Sequence, residues 1–300
     1  STSRGLGDVY KRQAYLIQQD NVFENIVSIF ELLYRLCAKI IIKIAQIYCS
    51  IEFFEKRMKK LTDYKILTFD CYGTLIDWES GIWNAGQPLL KDNNNNKITR
   101  EDFLSTFAAA ETFQEATTPT MIYPDLLSEV HRSMANTFNL STKKLLDNSF
   151  GQSVKYWPEF NDSQTSLFFL KQHIKLAILS NVDRNSFYES NKKLGVEFDA
   201  VYTAEDIGSY KPNPNNFAHM INAVRSSFGI DPDQILHVAQ SMHHDLVEAK
   251  NQGLDIAWID RQNLSNGGEW GATAKVPKLV EPDFLFFSMS EMVSTFRLLI

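Results

Sequence analysis

The feature that most constrains this chain is a recurring pattern. Short apolar runs each stop at polar residues, and segments with clear helix-end signals lie between them. YKILTF (64–69) stops at Asp70, LAIL (176–179) at Ser180 and Asn181, and Ile235–Ala239 at Gln240 and Ser241. Residues 256–259 and 284–287 are two further runs. The runs show no in–out alternation, as expected of strands covered on both faces. Asp183 can cap a helix that ends at Gly195, and Asn213-Pro214 can start one that ends at Gly229. A further helix is expected from about Asp245 to Gly253, and Ser288 with Glu291 has capping-box spacing before the last one. Strand–helix alternation of this kind predicts an α/β fold with a parallel sheet.

One stretch breaks the alternation. Residues 78–160 contain no convincing strand. Phe103, Phe107 and Ala110 recur at helical spacing, and Leu126, Val130, Met134 and Phe138 lie four apart after Pro124-Asp125. The DNNNN run at 92–96 reads as a turn. The expected organisation is a core of residues 61–77 and 161–300 with a helical cap at 78–160. Open parallel sheets bind ligands beyond the carboxyl ends of their strands. A cap inserted after the first strand would roof that edge and exclude water.

Residues 1–57 stand apart from this pattern. STSRGLGDVYKRQ (1–13) has no periodicity and resembles translated adapter sequence. Residues 22–54 are apolar, but Glu31, Arg35, Lys39 and Lys43 form one polar helical stripe. That favours an amphipathic helix, or untranslated sequence read through, over a membrane span. Met58 is the expected native start. A formal net charge of -6 speaks against nucleic acid as a partner. Three cysteines (Cys37, Cys49, Cys71) without metal spacing fit a reducing, cytoplasmic compartment.

The chemistry is expected at the strand ends. Asp70 opens the segment Asp70-Cys71-Tyr72-Gly73-Thr74, where Gly73 permits a tight turn and Thr74 offers a hydroxyl back to the carboxylate. A carboxylate so placed can attack and form an ester, or can simply cap the loop. Ser180 and Asn181 offer hydroxyl, amide and backbone N–H groups to an anion. Lys211, between Tyr210 and Pro212, can hold an aspartate ionised. Asp245 can orient water, bind a cation or complement a helix N-terminus. His243-His244 is a poor metal pair because neighbouring side chains diverge, so no metal site is expected. Trp78 and Trp83 read as packing residues at the cap hinge.

In order and position, FDCYGTL (69–75), LSN (179–181), YKPNP (210–214) and HVAQSMHHD (237–245) resemble the motifs of the haloacid dehalogenase superfamily. The resemblance implies a Rossmann-like core with an inserted helical cap domain. It makes Asp70 the nucleophile, Ser180 the second-motif hydroxyl, Lys211 the third-motif lysine and Asp245 the fourth-motif acid. Phosphatases of the superfamily carry an acid two residues after the nucleophile, where this chain has Tyr72. The first motif is instead similar to that of type II 2-haloacid dehalogenases. That implies halide displacement from a small 2-haloalkanoic acid through an aspartyl ester, with no cofactor. Asp70, Lys211 and Asp245 would be catalytic, and Tyr72, Thr74, Ser180 and Asn181 would bind substrate, the Tyr72 hydroxyl lying near it. A homodimer is compatible with this reading, and no membrane or nucleic-acid partner is expected.

The chain also departs from that pattern. Phe217 replaces a tyrosine, and Gln240, Met242 and His244 replace a serine, an asparagine and a tryptophan. Arg100 and Arg132 are the only cap candidates for a halide-binding arginine. Two alternatives stay open: a magnesium-dependent phosphatase of small metabolites, and a catalytically degenerate binding protein.

Overall fold

The computed structural model describes residues 33–44, 59–95, 97–269, 271–272 and 274–300. The chain divides into two compact units, Ser1–Lys59 and Lys60–Ile300. In the first, residues 33–44 are helical, in agreement with a helix in the apolar stretch. The expectations for residues 1–13, for Met58 and for Cys49 lie outside the described residues. Among the described residues, no helix is long and apolar enough to cross a membrane.

The second unit is built on six parallel strands: β1 (Ile66–Phe69), β2 (Lys175–Ser180), β3 (Ala200–Thr203), β4 (Ile235–Ala239), β5 (Asp255–Ile259) and β6 (Phe284–Phe286). Their order is β3-β2-β1-β4-β5-β6. The chain runs outward through β2 and β3, then returns to place β4 on the other side of β1. The switch point of the sheet therefore lies between β1 and β4, where such folds open a ligand crevice. Phe69 pairs with Ile178 and with Val238, so Asp70 leaves the sheet between the ends of β2 and β4.

Helices cover both faces of the sheet, and their ends follow the sequence signals. Helix α1 (Trp78–Asp92), α2 (Arg100–Thr117), α3 (Tyr123–Thr137) and α4 (Lys144–Gly151) form the cap. The core helices are α5 (Ser163–Lys171), α6 (Arg184–Leu194), α7 (Pro214–Phe228), α8 (Val247–Asn251) and α9 (Met289–Arg297). Asp183 caps α6 through the Asn185 and Ser186 amides, and Gly195 closes it in the left-handed conformation. Ser288 caps α9, with the Glu291 carboxylate accepting from the Phe287 amide.

The cap joins the core through a narrow neck. The Asp77 amide donates to the Pro158 carbonyl, the Phe160 amide to the Leu75 carbonyl, and Ile76 bridges Glu159. Trp157, nearly fully buried beside this neck, packs against α1 at Gly81, where a Cβ would come within 2.3 Å of the indole.

Three elements differ from expectation. β3 is an additional strand at the sheet edge, with Val201 exposed and an apolar run, Ala200–Tyr202, that is short. β1 starts at Ile66 rather than Tyr64, because Leu61–Asp63 form a 3₁₀ turn before it. The helix expected from Asp245 begins earlier, as a π-turn over Met242–Leu246 that leads into α8. The Leu246 amide reaches back to the Ser241 carbonyl. Single π-turns of this sort are frequent at functional sites.

Candidate active site

Asp70 sits one residue beyond β1 and is 6% exposed. The turn after it depends on Gly73, whose φ is +99°. A Cβ there would meet Gln240 at 3.1 Å and Trp78 at 3.2 Å. Gly73→Ala is therefore expected to destabilise the fold by about 1–3 kcal/mol, through the strained backbone and the crowded approach. Thermal unfolding of the variant checks this, and an unchanged midpoint would show that the turn tolerates a side chain.

The Asp70 carboxylate is held from two sides. Oδ2 accepts from the Thr74 hydroxyl at 2.8 Å, and Oδ1 from Lys211 Nζ at 2.9 Å. The Thr74 hydroxyl in turn accepts from the Gln240 amide. All three ammonium protons of Lys211 are used, on Asp70, on Asp245 Oδ1 at 2.6 Å and on the Leu179 carbonyl at 2.8 Å. The Lys211 peptide is fixed as well. Asn181 Oδ1 accepts from its N–H, and Asn181 Nδ2 donates to its carbonyl.

Burial sets the electrostatics. It pushes the Asp70 carboxyl above its ordinary range, and Asp245 nearby adds to this, against the opposing pull of Lys211. Burial acts on Asp245 in the same direction, but Lys211 and a hydrogen bond from His237 overcome it and hold this carboxyl low. Lys211 is lowered by burial and raised more strongly by its two carboxylates, ending above the usual lysine range.

Two residues of this network were not foreseen. His237, fully buried in β4, contacts Asp245 Oδ1 through Nε2 at 3.1 Å and the Thr68 hydroxyl through Nδ1 at 2.9 Å. The Phe217 ring packs edge-on against this imidazole, which gives the departure at that position a structural role. Arg261 grips the Thr74 carbonyl through Nε and Nη2 and pairs with Asp162. It pins the turn after Asp70 to the neck.

A cavity opens above Asp70, and Asp70, Tyr72, Asn181, Lys211 and Asp245 all line it. The other two expected residues are placed differently. Thr74 is fully buried and acts through Asp70. Ser180 is also buried, does not line the cavity, and its hydroxyl has no partner among the described residues. The Tyr72 ring faces the cavity, but its hydroxyl meets Ser190 Oγ on α6 at 2.8 Å. It is bound to the core, where an orientation toward substrate was expected. Neither cap arginine reaches the cavity: Arg100 bonds Ser80, and Arg132 pairs with Glu129 and Asp147. In their place α2 presents Glu111 and Glu115, both unforeseen.

The fit of a magnesium ion can be judged from the donors. Such an ion takes about six oxygen ligands. Among the described residues, no three Asp, Glu, His or Cys side chains converge to hold a metal. The Lys211 ammonium already stands between Asp70 and Asp245. Asp70 and Asp245 are the two carboxylates that could hold such an ion with waters, and in this structure Lys211 neutralises both.

A buried carboxylate at the switch point of a parallel sheet, under a lid of inserted helices, defines the class of capped α/β hydrolases. The family model of haloacid dehalogenase-like hydrolases matches residues 67–259, and the chain belongs to that family. No curated protein gives a significant match. Among solved structures, the L-2-haloacid dehalogenase from Xanthobacter autotrophicus is similar with a TM-score of 0.63 at 20% identity, over 78% of this chain and 98% of that one. The HAD-hydrolase YfnB from Bacillus subtilis, bound to magnesium, is similar with a TM-score of 0.63 at 16% identity, over 80% of this chain and 100% of that one. The Defluorinating L-2-Haloacid Dehalogenase Rha0230 aligns with a TM-score of 0.63 at 16% identity, over 80% and 98%. At these identities the likeness is one of fold.

Proposed function

We propose that the protein is a hydrolase that displaces halide from a small halogenated molecule through an ester on Asp70. The observation that carries this reading is the pairing of a fixed carboxylate with a tyrosine, not an acid, two residues after it. Asp70 is aligned by Thr74 and Lys211, while Tyr72 stands where a leaving-group acid would be and points its hydroxyl into α6. Burial lifts the Tyr72 phenol well above its ordinary range, so it is a poor acid. A halide needs no proton to leave.

In the first step an Asp70 oxygen attacks the carbon bearing the halogen. The C–O bond forms, and halide leaves with the electrons of the C–X bond. In the second step water adds to the Asp70 carbonyl carbon and gives its proton to Asp245, which is held ionised by Lys211 and His237. The ester C–O bond then breaks, the leaving alkoxide takes that proton from Asp245 as the alcohol, and Asp70 gives up the remaining proton of the water to solvent and is restored as the carboxylate. Lys211 offsets the charge on the carboxylates throughout. Cys71, buried and free, supports a reducing, cytoplasmic setting. The 2-haloalkanoic acid implied by the resemblance would bring a carboxylate, for which the cavity offers no arginine among the described residues.

The test is halide release from small haloalkyl compounds beside phosphate release from an aryl phosphate, each with magnesium or with chelator. Halide release is expected to be unaffected by chelation. Phosphate release is expected to be feeble, since a missing general acid costs about 10²–10⁴ in rate. Brisk magnesium-dependent phosphatase turnover, abolished by chelator, would overturn the reading.

A further inference from the structure

We propose that the cavity takes a substrate whose end remote from the scissile bond is an organic ammonium, received by Glu111 and Glu115 of α2 within walls made by Tyr72, Trp78, Tyr123 and Trp157. The proposal rests on the reading of Asp70 as nucleophile and names the substrate class for that site.

The charge of the lining points this way. Among the described residues of the lining, four carboxyl groups, Asp70, Asp245, Glu111 and Glu115, face one ammonium, Lys211. His244, the other basic group there, is brought down to about 4 by burial and by His243, and is neutral. With both glutamates protonated the lining carries a net charge of -1, and with both ionised -3. In neither state does it favour a carboxylate or phosphate substrate over a cation.

The walls point the same way. Trp157 and Tyr123 are nearly fully buried, with ring centroids 6.4 Å apart at 84°, and Tyr72 meets Trp157 edge-on at 5.5 Å. Aromatic faces combined with carboxylates are the chemistry that holds organic ammonium groups. The glutamates are fixed in place. Glu111 Oε1 accepts from the Tyr123 hydroxyl at 2.6 Å, and Glu115 Oε1 accepts from Asn181 Nδ2 at 3.2 Å. Asn181 is the residue that clamps the Lys211 peptide, so the cap carboxylate is joined directly to the catalytic network. Burial lifts both glutamates, Glu111 to about 7. The cavity volume of about 70 Å³ limits the substrate to a few heavy atoms.

The experiment has a binding arm and a reaction arm, both on the full chain at pH 8. In the first, thermal shifts and inhibition are measured with n-propylammonium, propionamide and propionate at matched concentrations. The ammonium is expected to bind best. In Glu115→Gln, and in Glu111→Gln combined with Glu115→Gln, its preference over the amide is expected to fall about 10-fold or more. Gln keeps the acceptor for Asn181, so the fold does not depend on the lost charge. Equal or tighter binding of propionate by the wild type, no binding of the ammonium, or an unchanged preference in a folded variant would each overturn the proposal. In the second arm, halide release is compared for 3-chloropropylammonium and 2-chloropropionate. Ammonium binding without halide release from any compound would uphold the head-group assignment and remove the carbon–halide reading. Halide release from 2-chloropropionate in preference to 3-chloropropylammonium would do the reverse.

Discussion

Asp70→Asn is expected to abolish turnover, with a loss of about 10⁴-fold or more, because an amide cannot form the ester that the reaction requires. The same substitution is expected to leave the protein folded, with a midpoint of thermal unfolding equal to or above that of the wild type. The second expectation follows from the electrostatics. Burial and the neighbouring Asp245 already push the Asp70 carboxyl upward, so the folded state carries this charge at a cost. A neutral amide relieves that cost. Lys211 keeps Asp245 and the Leu179 carbonyl as acceptors, and Asn Oδ1 can still take the third proton. Product release by ion chromatography and a thermal melt on the same sample check both halves. Mass spectrometry on the stock excludes deamidation back to aspartate. A folded Asp70→Asn protein with wild-type rate would show that another group attacks.

What the sequence disclosed, and what it hid, follows from where the information lies. Strand ends and helix ends are local signals. Asp70 and Asn181 could therefore be named from the runs that stop at them, Lys211 from its place in the proline-bounded YKPNP segment and Asp245 from the segment after the fourth strand, and the structure gathers all four around one cavity. Asp183 and Asn213 start helices through their side chains, and Gly195 and Gly229 end them in the left-handed conformation. β3 was missed because its apolar run, Ala200–Tyr202, is short. His237 was read as part of an apolar strand, and only its contacts with Thr68 and Asp245 show that it belongs to the network. Arg261 acts across 187 positions of sequence on the Thr74 carbonyl, and no spacing rule reaches that far.

The cap carboxylates did leave a trace. Phe103, Phe107, Glu111 and Glu115 are each four apart, so the glutamates continue the stripe that the two phenylalanines begin. Acidic residues on the continuation of a buried stripe either pair or face a cavity. Tyr72 shows the converse. Its ring could be placed beside the site from sequence, but the direction of its hydroxyl depends on Ser190, more than a hundred residues away.

Lys211→Met should be the most destabilising single change at the site. It removes the ammonium from between two buried carboxylates and leaves the Leu179 carbonyl without its donor. Breaking a buried ion network from one side costs about 3–5 kcal/mol, which for a unit of this size corresponds to a midpoint lowered by roughly 6–20 °C. The pH dependence identifies the cause. In the wild type the lysine is held above its ordinary value of 10.5, so its contribution is fully present below that pH and is lost only as pH rises through the higher folded value. Asp245 is held below its ordinary 3.8, so its contribution is present above that pH and fades as pH falls through the lower folded value. Between these limits the contributions of Lys211 and Asp245 are constant, while Asp70, raised by burial, costs stability as pH rises through its folded value. In Lys211→Met both carboxyls lose the cation, and burial raises both. The deficit is then expected to be largest near pH 8 and to shrink as pH falls toward 4 and the carboxyls take up protons. Thermal melts of the two proteins across that range measure it. A deficit that does not change with pH would mean that Lys211 contributes packing rather than charge, and the electrostatic account of the site would fall with it.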